Sequence, residues 1–529
     1  MASGLRTLAS MPSLPIPSES LDCLSVRDGR LLVEGCLASS LVERFGSPLF
    51  VLSEAQLRRN YRRFRDAFRT AWPEGPVDVL PAFKANSVLA TRHILSAEGA
   101  GADVYSPQEL AGVLATGVDP ARVSVNGGGK DPDHLRGCVA AGVRITVEDV
   151  DEIDRIQQVA AGLGTTARIR FRVKPRFPRL WRPTDFSQLT VPIDLGIQVY
   201  KSGIPQEYLV EMGRRVFEMP NLELVGLHFH AGRHHPSLWF WRGLMTQYAR
   251  LIGELCRAWD GWRPAEIDVG GGMASRRDPH NQEMARSEFV TTALGYPALV
   301  GLRLLGDSVY HALLGRIVSA LTTPPKVRSP PTVEAYAMTI AETLRAELRR
   351  QGVETHGLRL QTEPGRAQYG DAGLHLARVK VVKRQTRPIP YTWVLLDTTQ
   401  FFLAGGVLEH NRHPIVVVDR PEAPCTLKAD VVGHSCYADQ ILLGARLPEV
   451  APGDVVALLE TGAYQESSAS NFNALPRPAT VLVNGKDAEV VKVGETTEDV
   501  YARDRVPERL RASTLAGHRR DRRSGGDGN

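Results

Sequence analysis

The sequence has little of what would staple a chain, anchor it in a bilayer or charge it for nucleic acid. Its six cysteines (Cys23, Cys36, Cys138, Cys256, Cys425 and Cys436) are scattered, with no Cys-x-x-Cys pair. That excludes a disulfide scaffold and a structural zinc site, and no metal is expected. No apolar run approaches the roughly 18 residues needed to cross a membrane. The first twenty residues hold Pro12, Pro15 and Pro17 where a secretory leader would need an apolar stretch. The expectation is a cytoplasmic protein without membrane contact. One-sided charge is also missing. Most of the net +5 lies in residues 502–529, where eight arginines face four acids and supply +4. The nearly neutral remainder lacks the electrostatic footprint of a nucleic-acid binder, and the basic tail reads as a solvated, disordered end.

What is present is globular, 43% hydrophobic and 23% charged over 529 residues, enough for a large core and incompatible with wholesale disorder. From about residue 50, short apolar strands alternate with amphipathic helices. In the helix 54–69, Leu57, Tyr61, Phe64 and Phe68 share one face and arginines fill the other. Strands are expected at Val77–Phe83, Ala102–Tyr105, Arg122–Val125, Val143–Val147, Ala167–Val173, Glu223–Phe229, Glu266–Val269 and Leu358–Thr362. Helices are expected at 88–98, 149–162, 237–257 and 332–351, with Ser106-Pro107-Gln108-Glu109 forming a capping box after the second strand. Eight βα units point to a (β/α)8 TIM-type barrel over residues 51–373, an open doubly wound sheet being the alternative. After Gly373 the period falls from 3.6 to 2 and no helix intervenes, which gives an all-β C-terminal domain, sandwich or barrel-like, over 374–499. Residues 1–31 read as a flexible lead, 32–50 as strand or irregular chain packing on the β domain, and 500–529 as the basic tail.

In a βα barrel, chemistry gathers past the C-terminal strand ends. Those positions here are Lys84, Asp103, Asn126, Glu148, Arg172, His230, Gly270-Gly271-Gly272 and Glu363-Pro364-Gly365-Arg366. Taken singly, each has an ordinary explanation: a surface lysine, a tight turn, a core histidine, a solvated carboxylate. A polar group at nearly every strand end is hard to explain by folding alone. Lys84 is an amine able to form a Schiff base. The glycines let backbone N–H groups approach a phosphate, in the region where barrels commonly bind one.

Several segments together resemble a known family. They are Pro81-Ala-Phe-Lys84-Ala-Asn86, Gly101-Ala-Asp103-Val-Tyr-Ser106-Pro-Gln-Glu109-Leu, His228-Phe-His230-Ala-Gly232, Asp268-Val-Gly-Gly-Gly272 and Glu363-Pro-Gly-Arg366. In the β domain they are Gly433-His-Ser-Cys436-Tyr-Ala-Asp439 and Gly462-Ala-Tyr464, followed by Asn471-Phe-Asn473. The chain resembles the fold-type III pyridoxal phosphate-dependent decarboxylases, the diaminopimelate, ornithine and arginine decarboxylase group. The resemblance implies pyridoxal 5'-phosphate as cofactor, an amino-acid substrate that loses its α-carboxylate, and a homodimer with shared active sites. It implies Lys84 as the Schiff-base lysine, His230 stacked on the pyridine ring and Glu363 holding the ring nitrogen protonated. It implies Gly271, Gly272, Arg366 and Tyr464 as phosphate and carboxylate contacts, with Asp103 and Arg172 also on the cofactor. Cys436 resembles the cysteine that enters from the partner subunit and protonates Cα. The substrate side comprises Arg366, Glu409, Cys436, Tyr437, Asp439 and Tyr464.

The departures from that pattern bear on the substrate. Arg233 stands where a phosphate-binding serine is usual, and Tyr437 where many members place an acid that grips the far end of the substrate. No Arg-Pro-x-x-Tyr element falls near 405–409. Leu408-Glu409-His410 instead resembles the aromatic-Asp-His of basic amino-acid decarboxylases, so Glu409 is expected to receive a distal ammonium. The spacing between Gly272 and Glu363 is longer than is usual for the family, which marks an insertion near 274–329. Two other readings use the same residues: amino-acid racemisation, and a non-catalytic homologue that binds a partner enzyme.

Overall fold

Helix formation begins where the sequence supplies both a cap and an apolar face. The computed structural model describes residues 23–176, 198, 200–232, 235, 237–274, 301, 304, 306–310, 330–404 and 413–511. The Ser53 hydroxyl accepts the Gln56 N–H at 3.1 Å and opens the helix Glu54–Ala71. That helix buries Leu57, Tyr61, Phe64 and Phe68 against the barrel, each worth about 1.5–3 kcal/mol of burial. The helices Leu89–Ala97, Glu152–Gly162, Leu238–Ala258 and Val333–Arg350 stand where the periodicity places them. At Pro107–Leu114 the Ser106 hydroxyl caps Glu109 N–H at 3.1 Å. The Glu109 carboxylate reaches back one residue further than a capping box requires, to Tyr105 N–H at 2.6 Å.

All eight expected barrel strands form, at Val77–Val79, Ala102–Val104, Val123–Val125, Arg144–Val147, Ala167–Lys174, Leu222–His228, Glu266–Asp268 and Arg359–Thr362. Neighbours pair in parallel, the eighth strand returning to the first through Leu360↔Val77. The bridge Ala82↔Asp103 closes the ring between strands one and two. The first strand is shorter than its apolar run. It ends at Val79, and Phe83–Ala85 form a 3-10 turn instead. Pro81 has no N–H to give to a ladder, and the turn that follows carries Lys84 at the mouth.

Beyond Gly373 the period-2 runs near 376–383, 391–396, 414–418, 427–432, 454–460, 479–484 and 488–493 all appear as β strands. An additional one, Gln440–Leu447, pairs antiparallel with Leu427–Val432. The chain before the barrel joins this domain. The strand Leu49–Ser53 lies inside its sheet, parallel to Ala479–Asn484 and antiparallel to Gly373–Gln385. It is preceded by the hairpin Leu24–Val33 and the helix Ala38–Phe45. The long strand Gly373–Gln385 runs between two cores. Leu374 and Leu376 pack with Leu49, Val51 and Val481, and Ala377 and Val379 with Val394, Leu396 and Leu458. Two crossings from strand Leu49–Ser53 and back at Gly373 thus hold the β domain beside the mouth that carries Lys84.

Candidate active site

The strand ends converge on a connected polar network. Lys84 Nζ lies 2.9 Å from Asp103 Oδ2. Burial works against the lysine's charge, but the neighbouring Asp103, backed by Tyr464 and Glu363, raises its pKa above the ordinary value. Asp103 Oδ1 accepts from Asn126 Nδ2 at 2.7 Å, and that same amide nitrogen is 2.7 Å from Glu363 Oε1. Burial and the Glu363 charge push the Asp103 carboxyl upward, with Lys84 opposing them.

Glu363 is held from three sides. Its Oε1 accepts from Asn126 and, at 3.0 Å, from Arg170 Nη2, and its Oε2 faces His228 Nε2 at 3.0 Å. Burial, with Arg170 nearby, pushes the His228 pKa down to about 3. The ring is therefore neutral, and facing a carboxylate it carries its proton on Nε2. Three donors on a carboxylate with about four acceptor positions leave one for a further N–H.

Arg170 and His228, which hold Glu363 in place, are residues that strand-end reading does not pick out. Arg170 is fully buried at the barrel's centre and forks between Asp268 Oδ2 at 2.7 Å and Glu363 Oε1. It also donates to Thr146 at 2.8 Å and Gln361 at 2.7 Å, and contacts Ser124. Burial disfavours its charge, yet Asp268 and Glu363 outweigh that and raise its pKa. Burial and the Glu363 charge push Asp268 up to about 6. His228, Asp268 and Glu363 offer ligand atoms within 4.8 Å of one another. That spacing suits a cation, and the Arg170 guanidinium already fills the role for both carboxylates. The signal for Arg170 was available: Arg168, Arg170 and Arg172 alternate along one strand and so point to one side of it.

The glycine turn closes the far side of the mouth. Gly270 accepts from Glu363 N–H at 2.9 Å, and the Gly271 N–H points at His230 Nδ1 at 3.2 Å. A Cβ on Gly271 would stand 2.4 Å from the Glu363 carbonyl oxygen, so the close approach demands glycine. Burial, with Arg172 nearby, lowers the His230 pKa and keeps the ring neutral. Arg172 pairs with Glu148 at 2.9 Å, and Glu148 in turn accepts Gly127 N–H at 2.7 Å. Behind them a buried Lys130–Glu152 pair at 2.9 Å ties the loops after strands three and four together.

The β domain presses one segment onto the Lys84 turn. Tyr464 N–H donates to the Ala85 carbonyl at 2.7 Å, and the Ser467 hydroxyl to the Lys84 carbonyl at 3.0 Å. The Arg366 guanidinium lies 5.1 Å from the Tyr464 ring centroid, with Tyr464 in the left-handed region at φ 64°. Cys436 is not drawn into this network. It is exposed, and its N–H donates to Asn473 Oδ1 at 2.9 Å. The Asp439 carboxylate accepts from Gln400 and Ser435 N–H groups at 2.6 and 2.7 Å, holding the loop that displays Cys436. Tyr437 is exposed and meets Phe401 edge-on at 5.8 Å. Arg233, Glu409 and most of the 274–329 insertion lie outside the described residues.

An amine, an anchored carboxylate and a glycine-rich turn beside an arginine fit the aldehyde, ring nitrogen and phosphate of pyridoxal phosphate. The model of the pyridoxal-dependent decarboxylase pyridoxal binding domain matches residues 54–295. A diaminopimelate decarboxylase of Pseudomonas aeruginosa is 30% identical over 488 residues, covering 91% of this chain and 98% of its own. One from Methanothermobacter thermautotrophicus is 29% identical, with coverage of 91% and 97%. Among solved structures, the diaminopimelate decarboxylase of M. jannaschii in complex with L-lysine superposes with a TM-score of 0.76 at 25% identity, covering 92% of this chain and 99% of that one. The lysine/ornithine decarboxylase of Vibrio vulnificus shares the fold, with a TM-score of 0.61 at 19% identity, covering 84% and 97%.

Proposed function

The chain belongs to the fold-type III pyridoxal phosphate-dependent decarboxylases, and on that premise we propose that it decarboxylates diaminopimelate through the residues assembled above. Its activity is removal of an α-carboxylate from an amino acid with pyridoxal phosphate as cofactor. The observation that carries the substrate is the near full-length match to diaminopimelate decarboxylases. The departures at Tyr437 and around 405–409 favour a second reading, a diamino acid without a distal carboxylate, whose ammonium Glu409 would receive.

Lys84 would bind the coenzyme through its amine, and Asp103 keeps the free lysine charged and aimed at the mouth. Gly271, Gly272, Arg366 and Tyr464 would hold the phosphate, and His230 would contact the ring. Glu363, fixed as an acceptor by Asn126, Arg170 and His228, would accept from the ring nitrogen. When bound, the coenzyme supplies the electron sink for the breaking Cα–carboxylate bond. The chain's part is orientation and proton delivery. Cys436, exposed and outside its own chain's network, serves the mouth of a partner subunit and delivers the proton to Cα. The protein is on this reading a homodimer with shared sites. A cytoplasmic setting goes with it, since all six cysteines are free thiols.

Release of CO2 from meso-diaminopimelate, L-lysine, L-ornithine and L-arginine by the holoenzyme tests the substrate. The highest kcat/KM is expected with diaminopimelate. Turnover of ornithine or lysine with none of diaminopimelate establishes the second reading.

A further inference from the structure

The opposite, N-terminal face of the barrel carries a cavity of 460 Å³ that decarboxylation does not use. It opens where strand one begins at Val77 and strand eight at Arg359, with Arg122 just ahead of strand three. Lys84 and Glu363 lie past the other ends of strands one and eight, so the two sites are separate.

The cavity's charge is unbalanced. Among the described residues its one lining acid is Asp78, buried and shared: Oδ1 lies 3.3 Å from Arg122 Nη2, and Oδ2 lies 3.0 Å from Arg359 Nη1. Gln361 Nε2 adds a third contact to Asp78 at 3.3 Å. The third guanidinium, Arg69, stands at the end of helix Glu54–Ala71 and has no carboxylate partner among the described residues. Three guanidinium groups and one carboxylate thus line the cavity, an excess of two positive charges. Each guanidinium has five N–H donors, far more than Asp78 can accept. The remaining wall is apolar and rigid. Trp72 is buried and fixed by its indole N–H to the Leu358 carbonyl at 2.8 Å, and prolines flank it.

We propose that this cavity is a binding site for a small organic dianion with an apolar body, a dicarboxylate or a phosphate monoester. Arginine forks recognise both anions bidentately. The volume falls in the small-molecule range of about 300–1,000 Å³. The Trp72 wall packs against the carbon body, and the two surplus charges set the ligand's charge. The site is independent of the decarboxylase reading, since none of its residues touches the mouth.

The test is calorimetric titration of the holoenzyme, its own phosphate site filled by coenzyme, with glutarate and with phenyl phosphate. Saturable binding of either supports the site, and which of them binds more tightly identifies the anion. Arg69→Glu reverses the exposed charge and is expected to weaken Kd at least tenfold while leaving kcat/KM for decarboxylation unchanged. Arg69→Gln, which only removes the charge, is expected to give an intermediate loss. Absence of binding by both probes, or equal Kd in wild type and both Arg69 variants, overturns the proposal.

Discussion

Replacing Arg170 by methionine removes the cation that bridges Asp268 and Glu363 while roughly keeping its volume. The guanidinium is fully buried, at 2.7 Å from Asp268 and 3.0 Å from Glu363. Breaking a buried pair from one side costs about 3–5 kcal/mol, because the stranded charge has no water to return to. Asp268 is already pushed up to about 6 by burial and Glu363, with Arg170 holding it down. Without that restraint Asp268 keeps its proton to higher pH. A protonated Asp268, with an oxygen within 4.8 Å of Glu363, weakens the acceptor that Glu363 offers to the ring nitrogen, so activity at neutral pH falls and recovers as pH rises. Two measurements follow: the urea midpoint of Arg170→Met against wild type, and the pH dependence of kcat between pH 5.5 and 9. A drop in stability together with an acid limb moved to higher pH is the expected pair of results. A limb that stays in place, with stability within about 1 kcal/mol of wild type, refutes the claim that Arg170 sets the charge of this pair.

Lys84→Ala is expected to fold normally and lose nearly all turnover, with borohydride no longer fixing coenzyme to the chain; covalent fixation in that variant would mean another amine does the work. His228 is neutral because its pKa falls from about 6.5 unfolded to about 3 in the fold. Between those values the unfolded chain holds a proton that the folded chain does not, so this contribution is complete above about pH 6.5 and shrinks by about 1.4 kcal/mol per pH unit below it. Asp268, raised in the fold, runs the other way, its stabilising contribution being lost as pH rises through about 6. The wild-type curve therefore hides both, and the stability difference between wild type and His228→Gln, measured from pH 4 to 7, isolates the histidine. Mixing inactive Lys84→Ala with inactive Cys436→Ala is expected to give heterodimers with about half of the two-site activity once subunits exchange, and so about a quarter for an equimolar mixture, as an isologous dimer requires; exchange without recovery places both residues in one chain's site.

The barrel was legible because each strand is a short apolar run followed by a helix with a clear face. The turn at Lys84 differs from the expected strand because Pro81 ends the ladder early, and periodicity does not register a missing N–H. Arg170 escaped notice for a related reason. In an isolated strand, alternating arginines look like the wet side of a half-buried sheet. In a closed barrel the outer side is covered by helices, and the alternate side chain at 170 is the one sealed inside. The segment 32–50 reads as strand or irregular chain on the β domain, but the place of Leu49–Ser53 inside that sheet does not show, since its partners Ala479–Asn484 and Gly373–Gln385 lie hundreds of residues later. Gln440–Leu447 is broken by Gly444 at positive φ and follows directly on the loop that displays Cys436. The ring Lys84–Asp103–Asn126–Glu363 was visible as a set of strand ends. Its hydrogen-bond order and the donors behind Glu363 required the fold.

Glu363 is the proposed acceptor for the coenzyme's ring nitrogen, fixed in place by Asn126, Arg170 and His228. Glu363→Gln keeps the shape and removes the charge, so coenzyme content and CO2 release in this variant, measured beside wild type, test that role directly. Full coenzyme occupancy is expected with kcat lowered by about 10²–10³, the scale of losing one charge-stabilising contact in a water-excluded site. Undiminished CO2 release from a fully occupied Glu363→Gln enzyme would contradict it.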